Sequence, residues 1–234
     1  MEHIKLSPRL HAIAGLVPNG SSVVDVGTDH GYIPVWLAQT GRYGALAASD
    51  VNEGPLQNAR TSAAEHDVSD SIRFELCSGL GFPGSAEYRS VIIAGMGGEL
   101  IASILSQAPW TKSDTTLILQ PNSKIDVLNR WLDENGYRSN HVQLVRDSGK
   151  IYQILVVSGG SSRGPFTGID LLVDPMYRDL RDPLLPEYLD GLIKKYSLAA
   201  AGMKHGQNQK LLEETEQMLA RLTDMRKETD SWSL

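Results

Sequence analysis

Several things are scarce in this chain, and each scarcity excludes a class of protein. A single cysteine, Cys77, in 234 residues rules out an intrachain disulfide framework and fits a reducing compartment. No apolar stretch approaches the roughly 20 residues that a membrane span requires. The start, Met1-Glu2-His3-Ile4-Lys5, lacks the basic segment and apolar run of a secretory signal, so a cytoplasmic protein away from membranes is expected. Basic residues are in deficit: 22 Lys and Arg against 28 Asp and Glu give a formal charge of −6. The deficit is even, with 13 basic against 16 acidic residues up to position 164 and 9 against 12 beyond it. A protein that coats phosphates indiscriminately is not built this way. The six histidines, at 3, 11, 30, 66, 141 and 205, have no cysteine partners and no zinc-like spacing, so no metal is expected. A phosphate-cradling G-x-x-x-x-G-K-[ST] loop is also missing.

What is present describes a folded globular chain, 41% hydrophobic and 21% charged. Leu6, Leu10, Ile13 and Val17 recur at helical spacing, with Ser7 as N-cap and Pro8 in the first turn. Strand-like runs at 22–26, 45–49, 72–76, 91–94 and 116–120 then alternate with helical spacings at about 31–39, 53–66, 100–105 and after Ser123, which reads as a cap. Two closing runs, 141–145 and 151–157, flank Asp147-Ser148-Gly149-Lys150 and read as an antiparallel hairpin. The expected class is α/β, a doubly wound and mostly parallel sheet with an antiparallel terminal hairpin. The Gly- and Ser-rich stretch 158–165 marks a boundary between a domain 1–160 and a domain 165–234. Beyond it, Leu185, Leu189, Leu192, Tyr196, Ala199 and Met203, then Leu211, Thr215, Met218, Leu222 and Met225, alternate by three and four. They predict two antiparallel helices packed as a short coiled-coil hairpin, with the chain broken between them at Gly202 and Gly206. Such a hairpin fills its own seam, and a monomer is expected.

Residues that could carry chemistry fall where strands end. Asp25-Val26-Gly27-Thr28-Asp29-His30-Gly31 joins the first strand to its helix, where a glycine turn lets a ligand approach the backbone. It resembles the acidic-x-Gly-x-Gly-x-Gly loop of class I S-adenosylmethionine methyltransferases, with Asp29 in place of the middle glycine. A tight turn capped by Asp29 would explain the same residues. Asp50 closes the second strand, where a carboxylate can accept two bonds from a ribose diol or simply be solvated. Gly95, Gly97 and Gly98 surround Met96 after the fourth strand, and Gln120-Pro121-Asn122 ends the fifth. Both could make tight turns, or leave room and amide groups for a ligand. Cys77 reads as a buried structural thiol.

Taken together, Asp29-His30-Gly31-Tyr32-Ile33-Pro34, Asp50-Val51-Asn52 with Gly54-Pro55, Ile93 to Gly98, Leu119-Gln120-Pro121-Asn122 and Gly149-Lys150-Ile151-Tyr152 resemble, in order, the TrmK-type bacterial tRNA adenine-N1 methyltransferases. The likeness runs from about Leu6 to Gly160, and the helical hairpin is also a family feature. It implies a Rossmann-like class I methyltransferase fold, S-adenosylmethionine as cofactor, tRNA as partner and methylation of adenine 22 at N1. Asp25, Gly27, Thr28, Gly31, Asp50, Val51, Asn52, Ser78, Gly79, Leu80, Gly95, Met96 and Gly97 would surround the cofactor. Asp29, with His30 as second candidate, and Gln120, Pro121 and Asn122 would attend the base; Lys5, Arg9, Lys194 and Lys195 would meet the tRNA. The chain departs from the family pattern at Thr28 and Gly31, and at Ser78, where an Asp or Asn often holds the cofactor's adenine. A methyltransferase for a small molecule or protein, or a nucleotide-binding module without chemistry, would share much of this pattern.

Overall fold

The computed structural model describes residues 3–160, 166–204 and 208–233 of the chain. Its first helix, α1 (Pro8–Gly15), starts where expected: the Ser7 hydroxyl accepts from the Leu10 N–H and Pro8 fills the first turn. Strands and helices then alternate as β1 (Val23–Val26), α2 (Tyr32–Thr40), β2 (Leu46–Asp50), α3 (Glu53–Glu65), β3 (Ile72–Leu76), β4 (Ser90–Gly97) and α4 (Gly98–Ser106). β5 (Thr116–Ser123), α5 (Ile125–Glu134), β6 (Tyr137–Asp147) and β7 (Lys150–Gly159) complete the series. The strands form one sheet in the order β3-β2-β1-β4-β5-β7-β6, parallel except that β7 runs against β5 and β6. The chain reverses its direction of travel across the sheet between β1 and β4, which opens a crevice at their carboxyl ends.

Alternation along each strand divides the apolar side chains between two faces. Ile92, Ile118 and Ile154 join Ile13 and Ala14 of α1, Ile33 and Leu37 of α2 and Ala63 of α3 in one buried cluster. Val91, Ile93, Leu117 and Leu119, all fully buried, alternate with them and face the layer that holds Ile101 and Leu105 of α4 and Leu128 and Leu132 of α5.

Several boundaries differ from the expectation. β4 continues past Ala94 through Gly97, because two register shifts against β5 let the glycine run pair as a bulged strand. It is therefore no loop. β5 likewise runs through Gln120-Pro121-Asn122, so Ser123 is a strand residue and does not cap α5. Lys124 makes that turn at φ 56°, without a side-chain cap bond. A Cβ on Gly98 would lie 2.2 Å from the Lys124 carbonyl oxygen, so α4 can begin against this turn only with glycine. β6 begins at Tyr137, whose buried ring stacks on Trp131 of α5.

The chain divides into two compact units, Met1–Pro165 and Phe166–Leu234. In the second, a short helix α6 (Met176–Asp179) precedes α7 (Leu185–Met203) and α8 (Gln209–Asp230). The long helices are antiparallel, with Arg226 of α8 reaching Asp190 of α7 at 2.9 Å. Buried positions are Leu185, Leu189 and Ala200 on α7, and Leu212, Thr215, Leu222, Met225 and Thr229 on α8. Leu211, expected in the seam, is exposed, and its neighbour Leu212 takes the place. Gly202 lies inside α7 and breaks nothing; Asn208 caps α8 by accepting from the Leu211 N–H. Gly206 and positions 161–165 of the expected linker lie outside the described residues.

Candidate functional site

A cavity of about 360 Å³ lies at the crevice between β1 and β4, within the size range of small-ligand sites. β1 delivers Asp25 to it. The carboxyl group is buried and accepts a 2.7 Å bond from Thr28 Oγ1. Burial pushes its pKa up to about 6, opposed by the Thr28 bond and assisted by the nearby Asp50 charge. A cation entering the cavity would favour its ionised form.

The chain leaves β1 on Gly27 at φ 72°, donating its N–H to the Ser49 carbonyl at 2.7 Å. A Cβ here would be strained and would sit 2.1 Å from the Met96 methyl, so the bare backbone lets the end of β4 approach β1. Asp29 follows at φ 49°, a conformation uncommon for a residue with a side chain. Asp29 thus holds a backbone conformation that suits glycine while presenting a carboxylate. Asp29 Oδ2 lies 3.8 Å from His30 Nε2, and both residues line the cavity. His30 in turn stacks on Tyr32, with ring centroids 5.2 Å apart and 13° between planes. Tyr32 and Ile33 complete this wall, although the sequence reading gives neither a role. The 42% exposure of Tyr32 shows only in three dimensions.

Opposite, Asn122 and Gly95 line the cavity, whereas Gln120 and Pro121 are buried behind it. A chain of hydrogen bonds crosses this wall. Arg9 Nη1 donates to Gln120 Oε1 (2.6 Å), Gln120 Nε2 to Asn122 Oδ1 (3.0 Å), and Asn122 Nδ2 to the Gly95 carbonyl (2.8 Å). Arg9 itself lines the cavity.

Asp50 stands at the end of β2, one residue past the Val26–Ser49 pair, with Oδ1 accepting from the Asn52 N–H at 2.8 Å. Val51 beside it is exposed, and Asn52 opens α3 without a side-chain cap bond. Ser78, Gly79 and Leu80 do not line the main cavity; with Ile104 and Gln107 they enclose a smaller one of about 100 Å³. Cys77 is half-buried rather than buried, its Sγ 3.5 Å from the Gly79 carbonyl oxygen. Lys5, before α1, and Lys194 and Lys195, on α7, are exposed. Among the described residues, no group of three or more His, Cys, Asp and Glu side chains could hold a metal ion. Nor is any helix among them long and apolar enough to cross a membrane.

A buried carboxyl, a bare glycine turn and a strand-end carboxylate suit a ligand bearing an ammonium group and a ribose diol. S-adenosylmethionine carries both. The fold and this site define a methyltransferase: residues 6–155 match the family described as Methyltransferase domain. The chain is 31% identical over 172 residues to the tRNA (adenine(22)-N(1))-methyltransferase of Bacillus subtilis (strain 168), spanning 73% of this chain and 72% of that one. It belongs to that enzyme's family. The crystal structure of the B. subtilis M1A22 tRNA methyltransferase TrmK is similar at a TM-score of 0.80 and 25% identity, covering 98% of this chain and 99% of that one. Streptococcus pneumoniae Sp1610 in complex with S-adenosyl-L-methionine is similar at 0.82 and 30% identity, covering 93% and 99%.

Proposed function

We propose that this chain transfers a methyl group from S-adenosylmethionine to N1 of adenine 22 in tRNA, giving 1-methyladenosine. The observation that carries the reading is the 31% identity, over nearly three quarters of both chains, to the B. subtilis enzyme of that activity. Bound S-adenosylmethionine supplies a methyl group on a sulfonium. Asp25, the Gly27 turn and Asp50 are suited to its ammonium, backbone contacts and ribose; Thr28, Gly31, Asn52, Gly95, Met96 and Gly97 adjoin them.

Adenine N1 carries an in-plane lone pair. As the N1–CH₃ bond forms and the S–CH₃ bond breaks, positive charge moves from sulfur to the adenine ring. Asp29 is the carboxylate at the cavity mouth to meet that charge or to accept a proton from the 6-amino group, with His30 beside it. The rest is positioning, which can supply roughly 7–11 kcal/mol in well-oriented pairs. N1 lies on the Watson–Crick edge, so a paired target must leave its helix. The stacked His30 and Tyr32 offer an aromatic face to a base that has done so.

Lys5, Lys194 and Lys195 are the proposed phosphate contacts. The seam between α7 and α8 is filled by its own two helices, which supports a monomer, and a tRNA substrate supports a cytoplasmic location. The test is direct. Incubation with labelled S-adenosylmethionine and unmodified tRNA transcripts is expected to yield 1-methyladenosine at position 22; label appearing only in small molecules, or binding without transfer, would overturn the reading.

A further inference from the structure

We infer that Arg9 is a positioning residue: acting through the buried amide of Gln120, it holds the amide of Asn122 so that Oδ1 meets the target base as an acceptor for the 6-amino group of adenine. The inference rests on adenine N1 being the methyl acceptor.

Arg9 is not displayed as a phosphate contact would be. Its side chain is only 24% exposed, its Nε lies 3.9 Å from Asp147 Oδ2, and its guanidinium lies 5.3 Å from the centre of the Tyr152 ring. Asp147 is held in turn by Ser7, whose hydroxyl donates to it at 2.6 Å. Ser7 therefore both caps α1 and fastens the clamp on Arg9. That same bond, with the Arg9 charge beside it, holds the Asp147 carboxyl below the usual carboxylate range, so the clamp stays ionised at neutral pH.

The direction of the hydrogen-bond chain is dictated from both ends. A guanidinium can only donate, so Gln120 must turn Oε1 toward Arg9 and is left with Nε2 for Asn122. A carbonyl can only accept, so Asn122 must turn Nδ2 toward Gly95 and is left with Oδ1 for Gln120. The two demands agree. One lone pair of Oδ1 is spent on Gln120, and the second is open to a ligand, since Asn122 is exposed and lines the cavity.

Adenine presents its 6-amino donors beside N1, which itself must remain free for the methyl group. An acceptor at Oδ1 registers the base by that amino group; a turned amide would set Nδ2 against it, donor to donor. Gln120 has no solvent exposure, so without Arg9 its buried Oε1 loses its partner and its amide is held from the Asn122 end alone.

The test compares wild type, Arg9→Ala and Gln120→Glu on transcripts that carry adenine, or purine without the 6-amino group, at the target position. Melting temperature and S-adenosylmethionine affinity are measured alongside. Gln120→Glu keeps an acceptor for Arg9 but has nothing to donate to Asn122. Both variants are expected to bind the cofactor as wild type does, to lose about tenfold in kcat on adenine with a smaller change in KM for tRNA, and to lose most of the preference for adenine over purine. Should Gln120→Glu fold poorly, Arg9→Ala decides alone. A rise in KM for Arg9→Ala, with kcat and base preference as in wild type, makes Arg9 a phosphate contact and overturns the inference. A wild-type chain that leaves adenine 22 unmethylated overturns the functional reading, and the inference with it.

Discussion

Asp25 is held in a site that disfavours its charge. Burial sets its carboxyl at about 6 in the folded chain, against 3.8 for the free side chain. A raised carboxyl binds its proton more tightly folded than unfolded. The stability this adds is complete below about pH 4 and is lost as pH rises through about 6. Near neutrality the ionised group then costs about 2–3 kcal/mol. Asn in its place keeps an oxygen for Thr28 and removes the charge. Asp25→Asn is expected to raise the melting temperature, more at about pH 7.5 than at about pH 5, and to weaken S-adenosylmethionine binding in calorimetry. Asp29 lines the same cavity but is not buried. Exposed at the mouth, it is assigned to the moving charge rather than to the resting ligand. Asp29→Asn is expected to lower turnover about hundredfold while S-adenosylmethionine affinity stays as in wild type. Unchanged single-turnover rates would assign the developing charge to another group.

At the scale of elements, the junction between β4 and α4 is packed too closely to admit a side chain. A methyl on Gly98 has no path except through the Lys124 carbonyl at 2.2 Å, a backbone atom that cannot swing aside. Gly98→Ala is expected to destabilise the fold by about 1–3 kcal/mol in denaturant melts. Gly97→Ala, whose Cβ would stand 3.4 Å from the Ser123 hydroxyl, is expected to cost less. This junction also marks how far the fold was legible. The core of β4 was read correctly because strands buried in a parallel sheet carry contiguous branched residues, as Val91-Ile92-Ile93 does. The extensions through Gly97 and Ser123 were not, because bulged backbone pairing supports residues that by type belong to turns. Leu211 was misplaced for another reason: a spacing of three and four leaves the phase of a stripe free by one residue, and Leu211 and Leu212 serve it equally in sequence. At the candidate site, Asp25, Gly27 and Asp29 were legible because one strand-to-helix turn holds them. The bond from Arg9 to Gln120 spans 111 residues, and only the completed sheet creates it.

For the molecule as a whole, the excess of acid has to be reconciled with a polyanionic substrate. Part of the reconciliation is local: Asp25 is buried, and Asp147 is engaged with Ser7 and Arg9. Neither stands as an open negative charge facing phosphate. What remains for phosphates is sparse, which argues that tRNA is recognised mainly by shape and by the exposed adenine, with few released counterions. If the two units divide this work, the division can be measured. The whole sheet, its two apolar layers and the cavity lie within Met1–Pro165, whereas Lys194 and Lys195 belong to the second unit. A chain ended after Gly160 is expected to keep S-adenosylmethionine affinity and to lose tRNA affinity. If the two lysines each meet a phosphate, the slope of log K against log salt also becomes shallower by about 1.4–1.8, from roughly 0.7–0.9 per phosphate. Filter binding across a salt series reads both quantities, and an unchanged affinity with an unchanged slope would remove the second unit from recognition and leave the sheet's own edge to meet the tRNA.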